Sequence, residues 1–152
     1  MCMWKMTPLD IEPNKLKVRH VREESRTPSR GSEEAAGLDL YCAEDMNLYA
    51  GLVAKIPTGI ALEIPQKHYG LLTGRSSTAL KNILVFPTIC DADYRGEIFI
   101  TARFDGEGVY KLQKGDRIAQ IVITPFAKLE TEEVGELSET KRGTSGYGST
   151  GK

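Results

Sequence analysis

Five short stretches of this chain gather residue types that could do chemistry. Asp91-Ala92-Asp93-Tyr94-Arg95-Gly96-Glu97 crowds three acids behind the apolar run Ile83–Cys90. A carboxyl group at such a strand end, with part of its surroundings dry, can act as a general base on water within hydrogen-bond reach. A polar hairpin tip explains the same residues equally well. Tyr94, three residues after Asp91, is close enough to wall the same pocket. Gly74-Arg75-Ser76-Ser77-Thr78-Ala79-Leu80 sets a guanidinium and two hydroxyls where a short helix would begin, a workable anion site. It lacks the spacing of a Walker loop, and alone it reads more simply as a capped helix with an exposed arginine.

Asp39 is the one acid inside the apolar run Ala35–Tyr41. A carboxyl there must be paired or near a cation, which leaves either an Arg–Asp bridge or a place near Mg²⁺. In Gly115-Asp116-Arg117-Ile118-Ala119-Gln120-Ile121-Val122, a turn leads into a strand. Period two puts Arg117, Ala119 and Ile121 on one face and Asp116, Ile118, Gln120 and Val122 on the other. Gln120 then shares an apolar face, and its amide needs a partner. Backbone is the simpler choice and a ligand the other. The tail, 141–152, holds four glycines in twelve residues and reads as a frayed terminus. Its one ring, Tyr147, beside the phosphate-binding types Arg142, Ser149 and Thr150, also suits an arm that stacks on a base and wraps a phosphate.

The elements that must position these residues are strands. Leu16–Val21 and Glu97–Phe104 alternate with period two, the latter placing Ile98, Ile100, Ala102 and Phe104 on one face. Leu52–Ile56, Gly59–Ile64, Ile83–Phe86 and Ile118–Thr124 are further short apolar or β-branched runs, separated by glycine turns and prolines. The one helical stretch is a turn or two over Ser76–Asn82, with Ser76 or Ser77 as cap. Residues 22–34 read as an exposed loop. The pattern predicts an all-β sandwich, jelly roll or barrel.

With 152 residues, 40% hydrophobic and 27% charged, one ordinary domain is expected over 1–140, its first 14 residues an extension. A net charge of −1 argues against a nucleic-acid binder. No apolar run approaches the roughly 18–20 residues of a membrane helix, and the start lacks a signal-peptide core. Cys2, Cys42 and Cys90 are odd in number and form no CxxC pair, which suits neither disulfides nor thiolate zinc and fits a reducing compartment. With only His20 and His68, any metal here would be a hard cation held by oxygens, such as Mg²⁺.

In order, the five stretches resemble the trimeric dUTPase family, the deoxyuridine triphosphate nucleotidohydrolases. The matching segments are AAGLDLY at 35–41, GRSSTAL at 74–80, DADYRGE at 91–97, GDRIAQ at 115–120 and RGTSGYGSTG at 142–151. The resemblance covers nearly all the chain after roughly the first 14 residues. It implies a distorted jelly-roll-like β-barrel, a homotrimer with active sites between subunits, and hydrolysis of dUTP to dUMP and pyrophosphate. Asp91 then matches the acid that activates water for attack at the α-phosphorus. Tyr94 matches the ring under the deoxyribose, and the backbone around Thr88, Ile89 and Phe99 matches the groups reading uracil. Arg75, Ser76, Ser77 and Gln120 match phosphate contacts, and Asp39 matches an acid holding Mg²⁺ through water. Arg142, Gly148, Ser149 and Thr150 match an arm closing over the triphosphate, with Tyr147 on the base. The implied location is cytoplasmic, or nuclear in a eukaryote or virus, and the implied partners include neither membrane nor nucleic acid.

Three departures stand out. Thr88-Ile89-Cys90 replaces the usual Gly-Val-Ile, GRSS replaces PRSG, and Tyr147 stands where phenylalanine is commoner. Two rival readings remain. A dCTP deaminase shares the fold and the Arg-Ser-Ser element but lacks the DADYRGE and glycine-arm pair. A regulatory protein could keep the trimer to bind a protein partner, using residues 22–34 or 1–14.

Overall fold

In the computed structural model, which describes residues 15–146, the apolar runs become short strands that bury one face each. In chain order these are β1 (Lys17–His20), β2 (Ser29–Arg30), β3 (Leu38–Tyr41), β4 (Met46–Tyr49), β5 (Val53–Pro57), β6 (Ile60–Glu63) and β7 (His68–Gly74). A single helical turn, α1 (Ser76–Ala79), precedes β8 (Ile83–Val85), β9 (Thr88–Cys90), β10 (Phe99–Phe104), β11 (Val109–Leu112) and β12 (Arg117–Pro125). The fold is all-β, as expected. The largest sheet runs β2-β3-β12-β7-β9, beside a three-stranded sheet β5-β10-β8 and the pairs β1-β6 and β11-β4. These sheets do not close into one continuous hydrogen-bonded barrel. Packing completes the enclosure instead. Leu40, Leu48, Ile56, Ile60, Leu72, Ile100 and Ile121 from several sheets meet in one core, each essentially without exposure. Each such side chain contributes about 1.5–3 kcal/mol on burial.

Four local expectations change. Residues 22–34 are not wholly loop, because Ser29 and Arg30 pair with Asp39 and Leu38. No serine caps α1: its N-cap position is Arg75, and no side chain hydrogen-bonds there. β4, β7, β9 and β11 escaped the strand pattern. Finally, period two fails at the start of β12, where the register slips between Arg117 and Ala119. This bulge buries both Ile118 and Ala119 and leaves Arg117 exposed, so Arg117 does not share the core face of Ala119 and Ile121.

Candidate active site

The central position of β12 explains the first group of functional side chains. It pairs with β3 on one side, Gln120 opposite Asp39, and with β7 on the other, Gln120 opposite Thr73 and Ala119 opposite Gly74. Asp39, Gln120 and the Gly74–Arg75 turn therefore lie side by side. Asp39 is 6% exposed. Arg75 Nε donates to its Oδ1 at 2.8 Å, and Arg117 reaches Oδ2 at 3.4 Å. Arg75 also donates to Ser77 Oγ at 3.1 Å. Gln120 Nε2 donates to the Gly74 carbonyl at 3.0 Å, so backbone satisfies the amide. Gly37 makes this packing feasible, because a Cβ there would sit 3.0 Å from Gln120 Cδ and closer still to Oε1.

In front of this ion-paired cluster lies a cleft of about 400 Å³ whose walls include Arg75, Ser77, Lys81, Asp116 and Arg117. Three cations and one acid line it, a balance that suits an anion. Ser76 is exposed at the start of α1 but lines no part of it. Arg117 is a member that the residue pattern did not single out. Its only sequence signal was its place in the turn-to-strand stretch.

The second group sits on the β9-to-β10 connection. Asp91, Tyr94, Thr88, Ile89 and Phe99 share one cleft of about 300 Å³ with Cys90 and Lys55. Asp91 and Tyr94 do wall a single pocket. A Tyr94 N–H to Asp91 carbonyl bond at 3.1 Å turns the chain, and the Tyr94 hydroxyl donates to the Glu97 carbonyl at 3.1 Å. The phenol lies against Gly96, where a Cβ would come within 2.6 Å of its Cζ. Ile89 and Tyr94 are 55% and 47% exposed, so this cleft presents apolar faces to solvent.

Main-chain groups are available there too. β9 is an edge strand, paired only with β7, and Phe99 precedes the part of β10 that pairs with β8. Open N–H and C=O groups on such an edge can read a planar ligand. Thr88 turns its hydroxyl to the Phe86 carbonyl at 3.3 Å. Burial pushes the Cys90 thiol pKa up, with the charge of Asp91 adding to it, so Cys90 is a neutral floor beside the acid. Lys55, whose ammonium lies 3.9 Å over the Phe99 ring, is a wall that only strand pairing reveals.

The two clefts share no residue. Cys90 opposes Gly70 of β7, and Arg75 lies five residues further along, roughly 16 Å of strand. Arg142 joins neither cleft, since its Nε donates to the Ser145 carbonyl at 2.7 Å within the tail. Tyr147, Gly148, Ser149 and Thr150 lie outside the described residues. Among the described residues, no group of three or more His, Cys, Asp or Glu could hold a metal. Asp39 is the acid beside the anion cleft's arginines, and both its oxygens already face guanidinium groups.

A cationic cleft and, further along the same sheet, a cleft that joins apolar faces to Asp91 and Glu97 suit a phosphorylated nucleoside, and comparison with known proteins agrees. The profile of the dUTPase family matches residues 23–151. This chain belongs to the dUTPase family. A deoxyuridine 5'-triphosphate nucleotidohydrolase from Clostridium tetani is 42% identical over 140 residues, covering 90% of this chain and 97% of the relative. Among solved structures, the dUTPase of Staphylococcus bacteriophage 80alpha with dUPNHPP superposes with a TM-score of 0.86 at 32% identity, covering 91% of this chain and 99% of that one. That dUTPase is described as controlling transfer of virulence genes by a proto-oncogenic G protein-like mechanism. A mutant dUTPase from phage phi11 of S. aureus, described as coordinating a structural Mg(II) ion, matches with a TM-score of 0.77 at 29% identity, covering 81% of this chain and 98% of that one.

Proposed function

We infer that this dUTPase hydrolyses dUTP to dUMP and pyrophosphate, and the observation that carries the reading is the shared cleft of Asp91 and Tyr94. Asp91 accepts a proton from water as its oxygen bonds to the α-phosphorus. The bond from the α-phosphorus to the bridging oxygen breaks, and pyrophosphate leaves with that electron pair. The open edges at Ile89 and Phe99 read the uracil, and the Tyr94 ring fills the space a 2′-hydroxyl would need. Arg75, Ser77 and Arg117 neutralise the phosphates, a reaction that calls for positioning and charge more than covalent catalysis. Ser76 and Gln120 stand behind them, Gln120 fixing the Gly74 carbonyl.

Among the described residues no donor set builds a cage for Mg²⁺, so the ion would arrive on the triphosphate oxygens. Asp39 would reach its hydration water. Bound, it neutralises charge along the polyphosphate.

Because one chain keeps its two clefts apart, a complete site requires a neighbour, which supports a homotrimer with active sites between subunits. Residues 127–139 carry five glutamates, make no strand, and leave Leu129 and Leu137 more than four-fifths exposed. Such a segment suits contact with another copy. The arm at 141–152, bearing Arg142, Tyr147, Gly148, Ser149 and Thr150, would then close over the nucleotide and exclude water. Free, buried Cys42 and Cys90 support a reducing compartment, the cytoplasm or a nucleus. The described mechanism of the 80alpha relative favours a second role, regulation through a protein partner, alongside turnover.

A nucleotide panel of dUTP, dTTP, dCTP and UTP with Mg²⁺ tests the reading by pyrophosphate release. dUTP is expected to be the substrate, with UTP at least about 10²-fold poorer in kcat/KM if Tyr94 excludes the 2′-hydroxyl. Ammonia released from dCTP would make the protein a deaminase instead. Binding of dUTP without turnover would leave the regulatory role alone.

A further inference from the structure

We propose that Arg22, outside all five motif stretches, is a positioning residue that fixes the Tyr94 ring through Glu97 and so sets the preference for deoxyribose over ribose. The proposal rests on the dUTPase reading of the Tyr94 cleft. Arg22 follows β1, where its N–H and that of Val21 bind the Gly59 carbonyl at 3.3 and 2.8 Å. Its guanidinium grips Glu97 with two prongs, Nε to Oε1 at 2.8 Å and Nη2 to Oε2 at 3.2 Å. The third nitrogen, Nη1, donates to Glu44 at 3.0 Å. The same Glu97 Oε1 accepts the Gly59 N–H at 2.9 Å. Glu97 is only 15% exposed at its side chain.

Most surface ion pairs contribute little. A forked guanidinium–carboxylate contact in a half-buried place is the strong kind, because two parallel charge-assisted bonds fix orientation as well as distance. Here the fixed object matters. The Glu97 main-chain carbonyl accepts the Tyr94 hydroxyl, so a single residue joins the guanidinium on one side to the phenol on the other. The next residue is held as well: the Ile98 N–H donates to the Ile60 carbonyl at 2.8 Å, and the Ile98 carbonyl accepts the Thr58 hydroxyl at 2.6 Å. The return limb of the hairpin is thereby bolted to the β5–β6 turn. Residues 91–96 between the bolts are tied mainly to one another, through Tyr94 to Asp91 and Arg95 Nη1 to the Ala92 carbonyl at 2.7 Å. Loosening Glu97 therefore moves the Tyr94 ring, whereas Asp91 directly follows Cys90, which stays paired with Gly70 of β7.

The experiment compares wild type with Arg22→Ala, Arg22→Lys and Glu97→Gln. It measures kcat/KM for dUTP and for UTP, with thermal unfolding in parallel. Wild-type turnover of dUTP is measured first and tests the parent reading separately. Arg22→Ala is expected to lower kcat/KM for dUTP about tenfold and for UTP much less, narrowing the dUTP:UTP ratio several-fold. Arg22→Lys, with charge but no fork, should fall between. Glu97→Gln keeps an oxygen for Gly59 while losing the charged grip, and should narrow the ratio too. If Arg22→Ala fails to fold, the other two variants carry the comparison. A fall in unfolding temperature with the dUTP:UTP ratio unchanged in every folded variant would make the contact purely structural and overturn the proposal.

Discussion

Replacing Asp91 by asparagine should cut turnover of dUTP by at least about 10²-fold while nucleotide affinity stays near the wild-type value. The substitution keeps size and shape but removes the oxygen that takes a proton from water. Asp91 is exposed at the rim of its cleft and lies outside the ion pairs found among the described residues. Its replacement should accordingly shift stability by no more than about 0.5 kcal/mol, as for other surface positions. Steady-state pyrophosphate release, with calorimetric binding of a non-hydrolysable α,β-imido analogue, separates chemistry from affinity. Near-normal turnover would remove Asp91 from the base's role.

Arg75→Ala should have two large effects at once, one on folding and one on binding. Asp39 is buried and depends on Arg75 for its close contact, with Arg117 more distant. Removing one partner of a buried pair leaves an uncompensated charge, at a cost of about 3 kcal/mol. The anion cleft also loses a charged donor, which is worth about 1.5–3 kcal/mol, or roughly 10–150-fold in affinity for dUTP. The two effects part company in the double variant Asp39→Ala/Arg75→Ala. With the stranded carboxyl gone, much of the unfolding temperature should return. Affinity should not. Recovery of both would mean that Arg75 serves only to neutralise Asp39, whereas an unchanged KM in the single variant would remove it from phosphate binding.

The contrast between these two residues shows what was legible in the chain. Asp91 could be read because an acid directly after an apolar run is a local pattern, and the pocket it shares with Tyr94 spans three residues. β10 was legible for the same reason, since Ile100, Ala102 and Phe104, continuing from Ile98 just before it, alternate cleanly into the core. β7 was not. Two of its seven residues are glycines, and one of its two buried positions is Gly70, so its side chains show no apolar alternation in the sequence. The bulge at Arg117 was also hidden, because register is a property of the pair β12–β3 and not of either strand.

Asp39 posed a choice between a guanidinium and a metal. Long-range pairing supplies the guanidinium, bringing in both Arg75 from the β7–α1 turn and Arg117 from the start of β12, and leaves a role toward Mg²⁺ to the hydration water of a bound nucleotide's ion. Lys55 over Phe99 and Arg22 on Glu97 are likewise contacts between distant segments. Each involves an ordinary surface cation whose meaning comes only from the element it faces. The order of the five stretches carried the family. That 74–80 and 115–120 meet at one cleft while 91–97 borders another, within one chain, required coordinates.

The central claim is that this chain directs water to the α-phosphorus of dUTP, and isotope transfer measures that directly. The wild-type protein is incubated with dUTP and Mg²⁺ in ¹⁸O-enriched water, and both products are weighed by mass spectrometry. Attack at the α-phosphorus places one ¹⁸O atom in dUMP and leaves pyrophosphate unlabelled, which is the expected result. Label in pyrophosphate with none in dUMP would mean attack at the β-phosphorus and would contradict the placement of Asp91 and its water.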